Sequence, residues 1–448
     1  MLREAALRWR MAVAGLLVWL GAPIGRAAEP PRPEIPVVEI PSPLHLDDAV
    51  RIFRERGFDL LLADANAEGA RADLRTAQAF PNPALTATGG HTFTYDPGRC
   101  AGCSATTVTA GLSDQGLVTD FLIGKRRLKI DVARQALEAS ERSRADAERV
   151  LLATVKQQYI QTVLARVLLD FARETAHSLA ETARLVSDRL RAGDASEADT
   201  ARADTAKLEA EQAVDAAGGQ LAAAHAQLAF LLAVRGPAPM FEVEEHLPSP
   251  RTPAAIAGTA PDALITLAEE HRPDLAAATA QARVAESTLA LARRERIPDV
   301  ALTGNYEQEG RGQNALQPPT ANFGIQLLLP LLDRNQGNIA KSDALLRTQR
   351  LLRDKLEAQV TADVRAAWSA FVSSRARAER SEAALLDRAR RAHDLVGYQY
   401  QKGAVSLFER LDAERMHVAA VVESYQTLAD FWTSLYRLEA AVGMELDR

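Results

Sequence analysis

The residues best suited to chemistry are two nearby cysteines, Cys100 and Cys103, which are the only cysteines in the 448-residue chain. Outside the cytoplasm such a pair favours a disulfide, with free thiols or a metal clip as the alternatives. A structural zinc needs four ligands, and His91 is the only further candidate nearby. The pair therefore favours a small structural bridge over a metal centre.

The other residue types that carry catalysis are not arranged for it. The eight histidines are scattered and are never paired at the helical spacing of metal ligands. The sequence has neither a nucleophile elbow nor a Gly-rich phosphate loop. Its net charge of −6 gives no nucleic-acid footprint. We therefore expect no enzymatic activity, no cofactor, no bound metal and no nucleic-acid partner.

Two similar motifs begin at Gly193 and Gly403, at an offset of 210 residues. Each glycine separates two long stretches that are nearly free of Gly and Pro, and Ser196 or Ser406 follows it. Glycine suits the left-handed residue that ends one helix, and serine suits the cap of the next. Each motif therefore predicts a turn between two helices.

The match between the two motifs extends upstream and predicts a duplicated chain. The break at Pro81 corresponds to the break at Pro298. Both halves share the order helix, Pro break, strand, loop, strand, long helix, Gly and long helix. We predict one repeat at 44–236, a Pro-rich linker at 237–261 and a second repeat at 262–448.

Alternating apolar and polar residues predict two strands in each half. The predicted strands are 84–95, 106–117, 299–309 and 320–330. Strands of ~9–11 residues with one apolar face suit an outer-membrane barrel, although two hairpins on a soluble core would alternate in the same way. Because the smallest such barrels have ~8 strands, four strands per chain predict that several chains share one barrel.

Long helices are predicted at 124–234 and 338–442, each broken at its Gly motif. The segment 125–192 has neither Gly nor Pro, so a continuous helix there would be roughly 100 Å long. Such a helix must pair along its length or join a bundle, and an ordinary long coiled coil would show the same pattern.

The N-terminus predicts a secretory signal at 1–27, because arginines precede a short apolar run and small residues follow it. Cleavage is the expectation and a retained anchor the alternative. No cysteine follows the cleavage region, so a lipid anchor is not expected. Residues 28–43 are Pro-rich and predict an extended arm, with a flexible tail as the alternative.

The chain resembles the TolC-like outer-membrane efflux channels. The resemblance rests on the duplicated order, the Pro298 break, both Gly motifs and the run Pro-Leu-Leu-Asp-Arg-Asn-Gln-Gly at 330–337. The resemblance covers nearly the whole mature chain. It implies a mainly α fold with a membrane β-barrel, in which a homotrimer shares a twelve-stranded barrel and a long α-helical tunnel through the periplasm. It also implies outer-membrane lipid, a periplasmic adaptor and an inner-membrane pump as partners.

In that family the Gly motifs lie at the periplasmic tip, where helices close the tunnel. The family pattern places an acidic constriction at Glu409 and Asp412 and a closing link between Tyr400 and Asp199. A basic residue that adds another link in some members is replaced here by Val405. The adaptor is expected to dock at the tip formed by Gly193, Ser196, Gly403 and Ser406.

Three-fold symmetry would turn Glu409 and Asp412 into two rings of three carboxylates, since residues i and i+3 are neighbours on a helix. Carboxylates in a narrow pore attract cations, repel anions and raise one another's pKa. The alternative is that both side chains simply face water, as acidic residues on helices commonly do.

We therefore expect a passive exit duct for a tripartite exporter. A periplasmic coiled-coil adaptor is one alternative, and a surface adhesin with shared barrel strands is another. The runs 334–337 and 81–83 are similar to the heavy-metal-exporting branch, which pairs with resistance–nodulation–division pumps. Heavy-metal cations are therefore a candidate cargo, with drugs and secreted proteins as alternatives.

Overall fold

Contacts divide the chain of this computed structural model into two units, Met1–Ile40 and Pro41–Arg448. The described residues are 40–91, 93–94, 105–114, 116–236, 241–256, 258–309, 319–327, 329–381 and 385–446. The predicted signal, most of the Pro-rich arm and both cysteines lie outside them. The disulfide stays a prediction, which alkylation before and after reduction would test.

Helices dominate the described residues. They are α1 (Leu46–Arg56), α2 (Phe58–Gln78), α3 (Leu117–Leu122), α4 (Lys125–Ala192), α5 (Glu197–Leu231), α6 (Pro261–His271), α7 (Pro273–Arg294), α8 (Gln336–Arg380), α9 (Leu386–Gln401) and α10 (Leu407–Val442). None of the helices in this part of the chain combines the length and apolarity that a membrane crossing requires.

The four strands form one antiparallel sheet in the order β1 (Ala84–His91), β2 (Thr106–Ser113), β3 (Val300–Glu309) and β4 (Thr320–Leu327). The two halves of the chain meet where β2 pairs with β3. One row across the sheet joins Leu85, Leu112, Gly304 and Phe323. Because directly opposite residues share a face, this register collects the apolar side chains on one face and the threonines and asparagines on the other.

The strand predicted at 106–117 ends earlier, at Ser113. The Asp114 carboxylate accepts hydrogen bonds from the backbone N–H groups of Gly116 and Val118, at 3.3 and 3.0 Å. Gly116 has a φ of +89°, which glycine adopts without strain. The local bonds of Asp114 therefore turn the chain out of the sheet and into α3.

The apolar face of the sheet is exposed in the single chain. Leu85 is 74% exposed, Phe323 90% and Ile325 73%. These side chains would be covered if the strands were hairpins on a soluble core, so the structure does not support that alternative.

The long helices run along one another, and α4 contacts α2, α5, α7 and α10. The Pro-rich linker between the halves packs against them. Val243 of the linker forms a parallel β-bridge with Leu44. The Leu44 carbonyl in turn accepts a hydrogen bond from the Tyr159 hydroxyl of α4 at 3.0 Å. On α10, the Trp432 indole donates to the Pro248 carbonyl at 2.9 Å. The linker therefore joins the hydrophobic core instead of hanging free.

The second half of the chain is helical on both sides of residues 382–384, which lie outside the described residues. The helix α8 spans Gln336–Arg380 and α9 spans Leu386–Gln401. Ser381 and Leu385, which border the gap, both have right-handed helical backbone angles. The absence of Gly and Pro from this stretch agrees with its helical described residues.

Candidate functional site at the paired helical turns

The helix α4 ends in a left-handed glycine turn at Gly193, whose φ is +84°. The Gly193 N–H donates to the Leu190 carbonyl at 3.0 Å, and the Asp194 N–H donates to the Arg189 carbonyl at 2.8 Å. These two bonds satisfy carbonyls that a helix end otherwise leaves unpaired. The turn at Gly403, with a φ of +72°, closes α9 with the same pair of bonds.

A capping box begins the helix after each turn. The Ser196 hydroxyl accepts from the Asp199 N–H at 3.1 Å and donates to the Asp199 carboxylate at 2.7 Å. In the second turn, the Ser406 N–H and hydroxyl both donate to the Glu409 carboxylate, at 2.7 and 2.9 Å. The predicted caps at Ser196 and Ser406 are confirmed. The sequence analysis did not predict that the Asp199 and Glu409 carboxylates take part in these caps.

The capping bonds lower the pKa of the Asp199 and Glu409 carboxyl groups. The Ser196 hydroxyl is the main cause that lowers the pKa of Asp199, with the Ser196 N–H and Arg202 adding to it. The Ser406 N–H and then its hydroxyl lower the pKa of Glu409. A lowered folded-state pKa means that this stabilisation is present above the unfolded-state pKa and is lost as the pH falls through the folded-state value.

The closing link between Tyr400 and Asp199 stays a prediction, and the structure of the single chain shows where each side chain lies. Among the described contacts no hydrogen bond joins the two side chains. The Asp199 carboxylate is held by Ser196 and by Arg202, the latter at 3.4 Å. The Tyr400 ring is buried and lies under the Arg189 guanidinium, whose carbon is 4.9 Å from the ring centre. In the single chain the Asp199 carboxylate therefore takes part in the local capping box.

The two glycine turns lie at the same end of the helices. One apolar cluster contains Val186 of α4, Ala203 of α5, Tyr400 of α9 and Leu407 of α10. Val405, which stands where some relatives have a basic residue, packs against this cluster. The turns are therefore neighbours held by apolar contacts, although 210 residues separate them in the sequence.

Glu409 and Asp412 occupy the first turns of α10, and both side chains are exposed. Leu411 and Ala413 are buried between and beside them, so the helix presents its acidic side outward and its apolar side to the cluster. A single chain brings these two carboxylates to one helix face. The rings of carboxylates that the sequence predicts would require further copies of the chain.

A buried polar group near this end of the helices was missed by the sequence reasoning. Glu414 of α10 is 5% exposed and bonds both to His393 of α9 at 2.9 Å and to Arg410 at 2.8 Å. The His393 ring stacks on His417 with centres 4.7 Å apart. Burial is the main cause that lowers the pKa of His417. Only the four-residue spacing of Arg410 and Glu414 was visible in the sequence.

We expect Ser406→Ala to destabilise the first turn of α10 by about 1 kcal/mol, because the Glu409 N–H loses its acceptor and the Glu409 carboxylate loses one of its two donors. Hydrogen exchange at the Glu409 amide would measure the change. Ser406→Asp is the matched control, since aspartate caps as well as serine does. If the Glu409 amide exchanges as fast in Ser406→Asp as in Ser406→Ala, the capping assignment is wrong.

Comparison with known proteins decides the family. The sequence profile described as "outer membrane efflux protein" matches residues 50–234 and 264–444, which lie in the two predicted repeats. The chain belongs to the outer membrane efflux protein family. Membership confirms the resemblance found in the sequence. This efflux protein is thus an outer-membrane channel component of a tripartite efflux system, and the adaptor alternative is excluded.

Named relatives agree with the family assignment. The pyoverdine export outer membrane protein OpmQ of Pseudomonas aeruginosa is 29% identical over 340 residues, covering 75% of this efflux protein and 68% of OpmQ. The crystal structure of CusC matches with a TM-score of 0.71 at 21% identity, covering 89% of this chain and 92% of CusC. The crystal structure of VceC from Vibrio cholerae matches with a TM-score of 0.72 at 18% identity, covering 90% of this chain and 96% of VceC. These structural matches establish the fold.

Proposed function

We propose that three copies of this chain build one pore, in which each copy contributes four strands to a twelve-stranded barrel in the outer membrane and its long helices to a tunnel in the periplasm. The main support for the proposal is that the four-stranded sheet of one chain has two unpaired edges. Among the described strands, β1 and β4 each pair on one side only. An unpaired strand edge is not tolerated in lipid, and symmetric copies that pair β1 with β4 would remove every edge.

The apolar face of the sheet is proposed to contact lipid. Residues on it include Leu85, Phe323 and Ile325, which are all largely exposed in the single chain. The opposite face carries polar side chains such as Thr86 and Asn305. A barrel of these strands would have an apolar outside and a polar lumen, as outer-membrane barrels do.

The paired turns are proposed to form the periplasmic tip. Gly193, Ser196, Gly403 and Ser406 would present the surface on which the adaptor docks. Glu409 and Asp412 would line the narrowest part of the tunnel. The adjacency of the turns and the exposure of both carboxylates support these roles. Loss of adaptor cross-linking upon substitution at the tip would be expected, and unchanged cross-linking would contradict the docking role.

Export through a cleaved signal at 1–27 remains part of the proposal, and N-terminal sequencing of the mature protein tests it. The proposed pump is of the resistance–nodulation–division type, and the proposed cargo is a heavy-metal cation, supported by the run 334–337. The name of OpmQ gives pyoverdine as the cargo of that protein. Deletion of the gene should sensitise cells to heavy-metal salts. Unchanged metal tolerance together with lost pyoverdine export would contradict the metal proposal.

The assembly is tested by mass. In detergent, the assembly should have a protein mass three times that of the mature chain. The chain before cleavage of the signal has a mass of 48.5 kDa. The trimer should persist on dilution, because separating the copies would expose six strand edges and the apolar seams between helices. A stable monomer that still conducts would contradict the shared barrel.

A further inference from the structure

A groove of about 1000 Å³ lies where the sheet passes into the long helices, beside α3, the start of α4 and the end of α7. Four arginines line it: Arg126, Arg127, Arg134 and Arg294. Two carboxylates, of Asp120 and Asp131, also line it. Four guanidinium groups against two carboxylates leave the groove positively charged.

Both carboxylates of the groove already have partners. Asp120 pairs with Lys129 at 3.3 Å, and Asp131 accepts a hydrogen bond from the Ser287 hydroxyl at 2.7 Å. In the part of the chain that the structure describes, no carboxylate lies within ion-pair distance of Arg127, Arg134 or Arg294. These three arginines are therefore available to an anion.

The arginines are held at one place by the helix geometry. Arg127 and Arg134 are seven residues apart on α4, which puts them on the same helix face two turns apart. The Arg126 guanidinium lies over the Phe80 ring, with its carbon 4.2 Å from the ring centre. Its Nε is buried and has no hydrogen-bond partner among the described residues. The Arg126 Nη2 donates to the Gln78 carbonyl, so this side chain is held in place beside the groove.

Exposed apolar side chains surround this end of the sheet. Phe121, which lines the groove, is 81% exposed, and Phe80 is 61% exposed. Leu331 and Leu332, which follow β4 at the same end of the sheet, are 71% and 95% exposed. A basic groove beside an apolar rim matches a ligand with an anionic head and hydrocarbon chains.

We propose that the groove binds the phosphate headgroup of an anionic phospholipid in the periplasmic leaflet, an inference that rests on the proposed function as an outer-membrane channel. The apolar rim selects a lipid over free phosphate. The groove lies between α4 and α7, which connect to the central strands β2 and β3. The groove itself therefore lies beside the central strands, while its apolar rim includes Phe80, which precedes β1, and Leu331 and Leu332, which follow β4.

The test is native mass spectrometry of the full-length trimer in detergent with phosphatidylglycerol or phosphatidylcholine added. We expect one phosphatidylglycerol per chain to be retained in preference to phosphatidylcholine. The variant Arg127→Gln, Arg134→Gln, Arg294→Gln should bind phosphatidylglycerol about a hundredfold more weakly, because each arginine near an anionic lipid contributes roughly fivefold. Its binding of phosphatidylcholine should not change.

The matched control removes the same charge elsewhere, in the variant Arg142→Gln, Arg388→Gln, Arg391→Gln. These arginines are exposed and have no ion pair among the described contacts. The control variant should retain phosphatidylglycerol as the unmodified protein does. Equal loss in both variants, or equal retention in both, would overturn the proposal.

Three further outcomes show which part of the proposal has failed. Displacement of phosphatidylglycerol by millimolar inorganic phosphate would assign the groove to a free anion and overturn the lipid proposal. A trimer with normal conductance that does not prefer phosphatidylglycerol would overturn the groove alone and leave the channel function standing. Failure to form any trimer would overturn the proposed function, and the inference with it.

Discussion

Replacing Glu409 with Gln and Asp412 with Asn should lower the preference of the reconstituted channel for cations by about tenfold and weaken block by multivalent cations. An ion ~4 Å from a carboxylate gains roughly 1–4 kcal/mol, and symmetry places several carboxylates around one passage. Gln at position 409 can still accept the Ser406 bonds of the capping box, so the substitution removes charge while keeping the turn. Reversal potentials in planar bilayers measure the change.

The matched control for this experiment is Asp387→Asn with Glu423→Gln, which removes equal charge from exposed positions of α9 and α10 away from the tip. We expect the control to keep the cation preference. Acidification of the unmodified channel should reproduce part of the loss once the pH falls through the lowered pKa of Glu409. Unchanged selectivity and block in the Glu409 and Asp412 variant would show that these side chains face the outside of the tunnel.

Arg272→Ala should destabilise the folded chain by about 3–5 kcal/mol, because it breaks a buried ion-pair network. Arg272 is 5% exposed and donates to Asp274 at 2.6 and 3.0 Å, to Asp363 at 3.2 Å and to the Ala441 carbonyl at 3.3 Å. Its removal would leave the partly buried Asp274 carboxylate with Arg149, 3.6 Å away, as its remaining cationic partner. The network joins the start of α7 to the end of α10, so its loss should open that contact first.

Denaturant unfolding of the detergent-solubilised protein measures this effect, with Arg365→Ala as the control. Arg365 pairs with Asp262 on the surface at 3.5 Å, and such exposed pairs contribute at most about 1 kcal/mol. Equal midpoints for the two variants would contradict a structural role for the Arg272 network.

The same network predicts acid sensitivity. Burial alone would raise the pKa of Asp274, but the hydrogen bonds and charge of Arg272, with the charge of Arg149, lower it overall. The resulting stability is present above the unfolded-state pKa and is lost as the pH falls through the lower folded-state value. The Arg272→Ala variant should therefore lose less stability in acid than the unmodified protein.

Features set by local chemistry were the ones that the sequence could predict. The helix from Lys125 to Ala192 has the bounds expected from the absence of Gly and Pro and from the stop at Gly193. The caps at Ser196 and Ser406 follow from the residue type at one position. In each case a few neighbouring residues decide the conformation, so one sequence contains enough information.

Features that depend on competition or on distant contacts could not be predicted in the same way. The Asp199 carboxylate bonds to the Ser196 hydroxyl, and the identity of these two residues does not by itself show that the carboxylate joins the cap. Asp114 ends a strand whose apolar pattern continues beyond it. The Arg272 network and the basic groove join helices far apart in sequence, for which one sequence gives no pairing information.

The most direct test of the shared barrel is a disulfide between the β1 edge of one copy and the β4 edge of the next. Thr86→Cys or Thr88→Cys would be combined with Asn322→Cys, in a background of Cys100→Ser and Cys103→Ser. Within one chain β1 and β4 are three strand spacings apart, about 14 Å, which exceeds the reach of a disulfide. Oxidation in intact outer membranes should give covalent dimers and trimers. Protein that stays monomeric with every pairing, while still reaching the outer membrane, would contradict a barrel shared between copies.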